Sequence, residues 1–191
     1  MLRVPTKQPT RIPDGPSVAE KWGAARRIVG GCRRGGAMNG KIRVIQYGIG
    51  AMGSNMVRLL AGKECVSLVG AIDIDEAKIG CDAGRLAGLG RDLGITVQFP
   101  PEEVLDRVQA DVVLHATTAF MKDAYPLVTK VLERGMNVVT IAQELFFPLG
   151  ENAHIAKDID ALAKEKGVSI TAVGINPGFI LDFVPIVGSL P

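Results

Sequence analysis

From residue 41 onward the hydrophobic pattern changes period repeatedly, and each change marks an element. Lys41–Tyr47 (KIRVIQY) is a short apolar run that stops at a glycine, the mark of a buried strand. From Ala51 to Leu60 the residues Met52, Met56, Val57, Leu59 and Leu60 recur at helical spacing. Val66–Asp73 predicts a second strand and Ile95–Phe99 a short third. Pro101 opens a helix with Glu102 and Glu103 in its first turn, where carboxylates suit the helix dipole. Asp111–Ala116 predicts the fourth strand, Tyr125–Arg134 a helix closing at Gly135, and Asn137–Ala142 the fifth strand. Glu151–Lys166 is a long helix stopped by Gly167, and Val168–Val173 is the sixth strand. Gly80–Gly94 holds five glycines and predicts a loop with one short, weak helix. Six apolar strands alternating with helices predict an α/β fold with a doubly wound parallel sheet.

Composition narrows the class without changing that picture. With 191 residues, 47% of them hydrophobic, the chain is long enough for one domain and part of a second, with a full core. Nothing in it is apolar enough over about 18 residues to span a membrane. The three cysteines (Cys32, Cys65, Cys81) have no CxxC spacing and an odd count, which argues against a disulfide or zinc framework and for a reducing cytoplasm. The net charge of +2 is uneven: residues 1–39 carry eight Lys/Arg against two acidic residues, a net +6. The remaining 14 basic and 18 acidic residues leave −4, so the expected globular part is mildly acidic and does not suit nucleic acid. Residues 1–39, rich in proline, arginine and glycine, read as a basic, solvated extension outside the fold. Attachment of its arginines to nucleic acid is the sharper but less favoured reading.

The chemistry concentrates in one turn. Gly48-Ile49-Gly50-Ala51-Met52-Gly53 matches GxGxxG, directly after a predicted strand and directly before a predicted helix. Gly48 permits the tight turn, Gly50 removes the Cβ that would block a pyrophosphate, and Gly53 lets helix and strand pack closely. The N–H groups at the helix start then face the phosphates. A glycine turn alone is a weak signal, since it can be purely structural. Asp73 supplies a second test: it ends the second strand 20 residues after Gly53, the offset at which a carboxylate meets the adenosine ribose. It would accept bonds from the ribose hydroxyls and repel a 2′-phosphate, favouring NAD, with NADP the alternative because Lys78 or Arg85 could reach a 2′-phosphate.

Other candidates are softer. Ala116 and Thr117 fall at the carboxyl end of the fourth strand, where ligands bind in open α/β sheets. His115 lies inside that strand and reads as a packed or hydrogen-bonded core residue; His154 reads as surface. Glu144 follows the fifth strand, where a carboxylate suits either a substrate amino group or the bracing of its own loop. No His, Cys and carboxylate cluster has metal-ligand spacing.

The run VIQYGIGAMGSNMVRLL, followed by GAIDID, HATTAF, QELFFP and GINPGF, resembles the N-terminal half of 2,4-diaminopentanoate dehydrogenases, whose cofactor domain is similar to that of dihydrodipicolinate reductase. The resemblance covers residues 40–191 and implies a Rossmann-type NAD(P)-binding domain over residues 40–175. Residues 176–191 would begin the crossover into a second, substrate-binding domain that is largely missing. It further implies oxidative deamination at the amine-bearing C4 of 2,4-diaminopentanoate, giving 2-amino-4-oxopentanoate, ammonia and reduced cofactor in ornithine degradation, by a homo-oligomer when full length. By position, Gly48, Gly50, Ala51, Met52 and Gly53 would hold the pyrophosphate and Asp73 the ribose. Ala116, Thr117 and Ala142 would run toward the nicotinamide, with Glu144 and Asn176 on the substrate side. Two readings stand beside this one: a dihydrodipicolinate reductase-like enzyme, and a non-catalytic dinucleotide-binding domain.

Overall fold

The computed structural model describes residues 40–148 and 150–189, so the basic extension expected over residues 1–39 lies outside the described residues. Six strands form one parallel sheet: β1 (Ile42–Tyr47), β2 (Val66–Ile72), β3 (Val97–Gln98), β4 (Val112–His115), β5 (Asn137–Thr140) and β6 (Ile170–Ala172). Their order across the sheet is β3-β2-β1-β4-β5-β6. The chain winds outward from β1 through β2 to β3, then returns to the other side of β1 for β4, β5 and β6. The expected doubly wound sheet is therefore present, and its switch point lies between β1 and β4, where open α/β sheets bind ligands.

Apolar strands form here because both sheet faces are covered. On one face Ile45, Tyr47, Ile72, Val113 and Val138 pack under α3 (Pro101–Leu105), α4 (Met121–Glu133) and α5 (Ala153–Lys166), which contribute Val104, Val128, Leu132, Ile155 and Ile159. A smaller cluster joins Ile49, Ala71 and Val97 to Ala83 of α2 (Ala83–Leu86). The first crossover helix, α1 (Ala51–Ala61), buries Val57 and Gly53. The short helix expected within Gly80–Gly94 is α2.

Three elements differ from the sequence expectation, each for a local reason. β3 shrinks from Ile95–Phe99 to two residues because its first part bonds elsewhere. The Ile95 carbonyl accepts from Ala83 N–H at 2.8 Å, the Ile95 N–H is taken by the Asp82 carboxylate at 3.0 Å, and Thr96 bridges Asp82 in the antiparallel sense. Asp82 also accepts from the N–H groups of Gly84 (2.7 Å) and Leu93 (2.9 Å), so one carboxylate organises the glycine-rich loop. β6 begins at Ile170 because the N–H groups of Val168 and Ser169 are used by the Ala163 carbonyl and the Asn137 side chain. Helix α4 starts a turn early, at Met121, although Pro126 lies inside it. The Glu144 carboxylate accepts from Met121 N–H at 2.8 Å and so caps a start that no local side chain marks.

After β6 the chain forms a π-helical stretch over Ile175–Phe183 that continues into α6 (Val184–Gly188). Phe179 and Phe183 stack there, with ring centroids 5.6 Å apart. Cys81 is a free thiol. Among the described residues no helix is long and apolar enough to cross a membrane.

Candidate functional site

The turn after β1 is wedged between β2 and β4. Gly48 N–H donates to the Ile72 carbonyl (2.8 Å), and the neighbouring Tyr47 carbonyl accepts from Ala116 N–H (2.7 Å). Gly48 has φ +91°, and a Cβ there would sit 2.6 Å from the Ala116 carbonyl oxygen, so the turn requires glycine twice over. At Gly53 a Cβ would lie 1.9 Å from the Gly48 carbonyl oxygen. That absence lets α1 fold back tightly on the strand. The buried Gln46 amide, which the sequence reading did not single out, donates to the same carbonyl at 2.9 Å and fixes it from below.

Gly50 is different. A Cβ there would meet no protein atom within 4 Å, because the residue faces a cavity of about 500 Å³. That volume is within the roughly 300–1,000 Å³ of small-molecule sites. Gly50 also starts α1, whose first turn is capped by no side chain and holds no acidic residue. Its N–H groups are thus available to an anion.

Asp73 forms the next part of the wall. It is 7% exposed. Its Oδ2 accepts from Ile49 N–H within the glycine turn at 2.6 Å, and Oδ1 accepts from Asp75 N–H at 2.9 Å. These bonds aim the carboxylate at the turn from across the β1–β2 boundary. Lys78 joins it, with Nζ 3.3 Å from Asp73 Oδ2 and 3.2 Å from Asp75 Oδ2. Burial works against the Lys78 ammonium, but the two carboxylates outweigh it and hold its pKa above the ordinary lysine value. Arg85, the other cation considered, forks onto Asp92 instead and is absent from the cavity wall.

The rest of the wall comes from segments that sequence spacing did not single out: Ile74, Phe99, Pro100 and Pro101 beyond β2 and β3, and Leu127 and Lys130 from α4. Phe99 and Ile74 are exposed apolar groups, suited to a flat aromatic ring. Lys130 pairs with Glu102 at 2.6 Å. Phe99-Pro100-Pro101 at the carboxyl edge of a strand was the one available signal.

Of the sequence candidates, the cavity brings together Gly48, Gly50, Asp73, Ala116 and Thr117. Ala51 and Met52 are exposed at the start of α1, and Gly53 is buried behind the turn. Ala142, fully buried, donates its N–H to Thr140 Oγ1 at 3.0 Å. Asn176 is exposed on the stretch beyond β6 and does not line the cavity. Glu144 caps α4, as described.

His115 is the core residue its strand position suggested, 1% exposed. Its Nδ1 lies 2.9 Å from Thr140 Oγ1 and its Nε2 2.7 Å from Thr117 Oγ1, while its ring meets Tyr47 edge-on. Burial lowers its pKa to about 4, so the ring is neutral near pH 7. Burial, assisted by the Glu102 charge, raises the Tyr47 phenol to about 12. The imidazole therefore ties the ends of β4 and β5 together beneath Thr117. Among the described residues no three His, Cys, Asp or Glu side chains are grouped to hold a metal ion.

The fit to a dinucleotide rests on a specific pair of features: a glycine whose missing Cβ opens the cavity, and a buried carboxylate fixed beside it. Residues 42–142, more than half of the chain, match the family described as dihydrodipicolinate reductase, N-terminus. The chain belongs to this family. Within it the chain is similar to 2,4-diaminopentanoate dehydrogenase of Acetoanaerobium sticklandii, 34% identical over 157 residues, covering 76% of this chain and 41% of that protein. Among solved structures it resembles an amine dehydrogenase from Mycobacterium smegmatis (33% identity, TM-score 0.72, 79% of this chain and 45% of that one). It also resembles GenD2 of gentamicin A biosynthesis, solved with NAD (26% identity, TM-score 0.58, 80% of this chain and 39% of that one). The chain thus spans less than half the length of these relatives.

Proposed function

We propose that this chain is the cofactor-holding part of an NAD-linked dehydrogenase that acts on a CH–NH2 group, with 2,4-diaminopentanoate as the substrate. The observation that carries the cofactor half is the open space in front of Gly50, flanked by uncapped N–H groups of α1 on one side and Asp73 on the other. In this reading the backbone from Gly48 to Gly53 holds the pyrophosphate and Asp73 binds the adenosine ribose. Ile74, Phe99 and Leu127 enclose the adenine. Ala116 and Thr117 support the centre of the dinucleotide, and the backbone at Ala142 leads toward the nicotinamide. Bound NAD would supply a hydride acceptor for the carbon that bears the amine.

The amine substrate is supported by likeness to the two amine-oxidising relatives. The domain plan (a cofactor domain over residues 40–175 and a crossover over 176–191), a homo-oligomeric assembly and a cytoplasmic home belong to the same proposal. Glu144 braces α4, so its action on a substrate amine would have to coexist with that cap; Asn176 is kept as the start of the substrate side. The family match favours one further reading, a dihydrodipicolinate reductase-like activity, which consumption of reduced cofactor with dihydrodipicolinate would support.

The test is a fluorescence titration of the chain with NADH and, in parallel, with NADPH. Saturable binding is the expected result. No binding of either by a chain shown to be folded by circular dichroism overturns the proposal.

A further inference from the structure

Asp73 meets any incoming ribose already engaged. Its Oδ2 receives the Ile49 N–H at 2.6 Å and the Lys78 ammonium at 3.3 Å, which fills the two lone-pair directions of that oxygen. A ribose diol can use this oxygen only if Lys78 withdraws. Withdrawal is easy, because the second partner of Lys78, the half-exposed Asp75 carboxylate, is 3.2 Å away and keeps hold of the ammonium. Lys78 itself is part of the cavity wall. The other cations differ. Lys130 is paired with Glu102 on the α3–α4 side, and Arg85 is committed to Asp92 outside the cavity.

We infer that Lys78 is the residue that sets the choice between NAD and NADP in this chain. It competes with the ribose 2′-hydroxyl for Asp73, and it offers a charge, at the same place, to a 2′-phosphate. The carboxylate at Asp73 alone would repel that phosphate; the Lys78 ammonium against it removes most of the repulsion and adds a charge-assisted bond. This inference rests on the dinucleotide reading above and deepens it: the chain takes both cofactors, with a preference that depends on one movable side chain.

The experiment is a pair of fluorescence titrations, NADH and NADPH, on the wild-type chain and on Lys78→Met and Lys78→Arg. Methionine keeps the length of the stem and its packing but not the charge. The wild type is expected to bind both, and Lys78→Met to raise the ratio of NADPH to NADH dissociation constants at least tenfold. Lys78→Arg should keep the ratio within about threefold of the wild type. In the wild type, NADPH binding should also weaken more than NADH binding as salt is raised. An unchanged ratio in Lys78→Met overturns the inference while leaving the dinucleotide reading in place, as does a wild-type chain that binds NADH but not NADPH. A folded wild-type chain that binds neither overturns both.

Discussion

The three glycines of the turn look equivalent in the sequence but differ in what their missing side chains spare. At Gly53 the absent Cβ spares the Gly48 carbonyl, and at Gly50 it spares only the cavity. Substitutions should therefore separate folding from binding. Gly50→Val is expected to leave the melting temperature within about 2 °C of the wild type, because φ −82° and ψ −162° suit any residue and a Cβ there meets no atom within 4 Å beyond its chain neighbours. It should also abolish saturable NADH binding. Gly53→Ala has the opposite profile. Its Cβ is driven against backbone at 1.9 Å, so overpacking should cost about 3 kcal/mol and lower the melting temperature by roughly 5–10 °C. Thermal melts alongside NADH titrations check both, and a Gly50→Val chain that binds normally would remove the pyrophosphate from this turn.

At the scale of the elements, two long-range ties hold the carboxyl ends of the strands in place. The first is His115, between Thr117 and Thr140. Its folded pKa is lowered by burial to about 4, whereas in the unfolded chain it titrates near 6.5. The unfolded state therefore takes up this proton first. Stability from this residue is complete above about pH 6.5 and declines as the pH falls toward 4, by about 3 kcal/mol in all. His115→Gln should be less stable than the wild type at pH 7 but lose less between pH 7 and pH 4.5, which urea midpoints at the two pH values will show; parallel losses would mean that the ring does not titrate in this way. The second tie is Glu144 on the start of α4. Glu144→Ala should cost about 1 kcal/mol as a lost cap, and Glu144→Gln, which keeps an acceptor oxygen, clearly less; equal losses in thermal melts would show that the cap is not what the residue contributes. Neither tie was legible in the sequence with its partner, because Glu144 and Met121 are 23 residues apart and His115 and Thr140 are 25 apart. What was legible depends on short spacing: the glycine turn, Asp73 at the end of β2, and strands and helices marked by period and by Gly135 and Gly167. The cavity wall from Phe99, Leu127 and Lys130 was not, since only the fold brings those segments to one place. β3 was overestimated for the same reason, because the Asp82 carboxylate takes the Ile95 N–H that a longer strand would have used.

For the molecule as a whole, the separation between the cavity and the last elements leads to a prediction about which residues suffice. Every residue of the cavity wall falls between Tyr47 and Lys130, and the sheet is complete at Ala172, after which Val173 N–H still bonds the Thr140 carbonyl at 2.9 Å. Beyond that point Ile175, Phe179, Leu181, Phe183 and Ile186 are all more than half exposed. An apolar surface of this kind promotes association rather than folding. Residues 40–175 alone should therefore fold cooperatively, bind NADH with a dissociation constant within about threefold of that of the whole chain, and sediment as a more uniform species. The dissociation constant is the decisive quantity, because a structural role for residues 176–191 would lower stability without changing it in the folded population. If residues 40–175 fold, as judged by a cooperative melt, and yet bind NADH at least tenfold more weakly, then the stretch beginning at Asn176 completes the cofactor site, and the boundary between cofactor and substrate regions lies further along the chain.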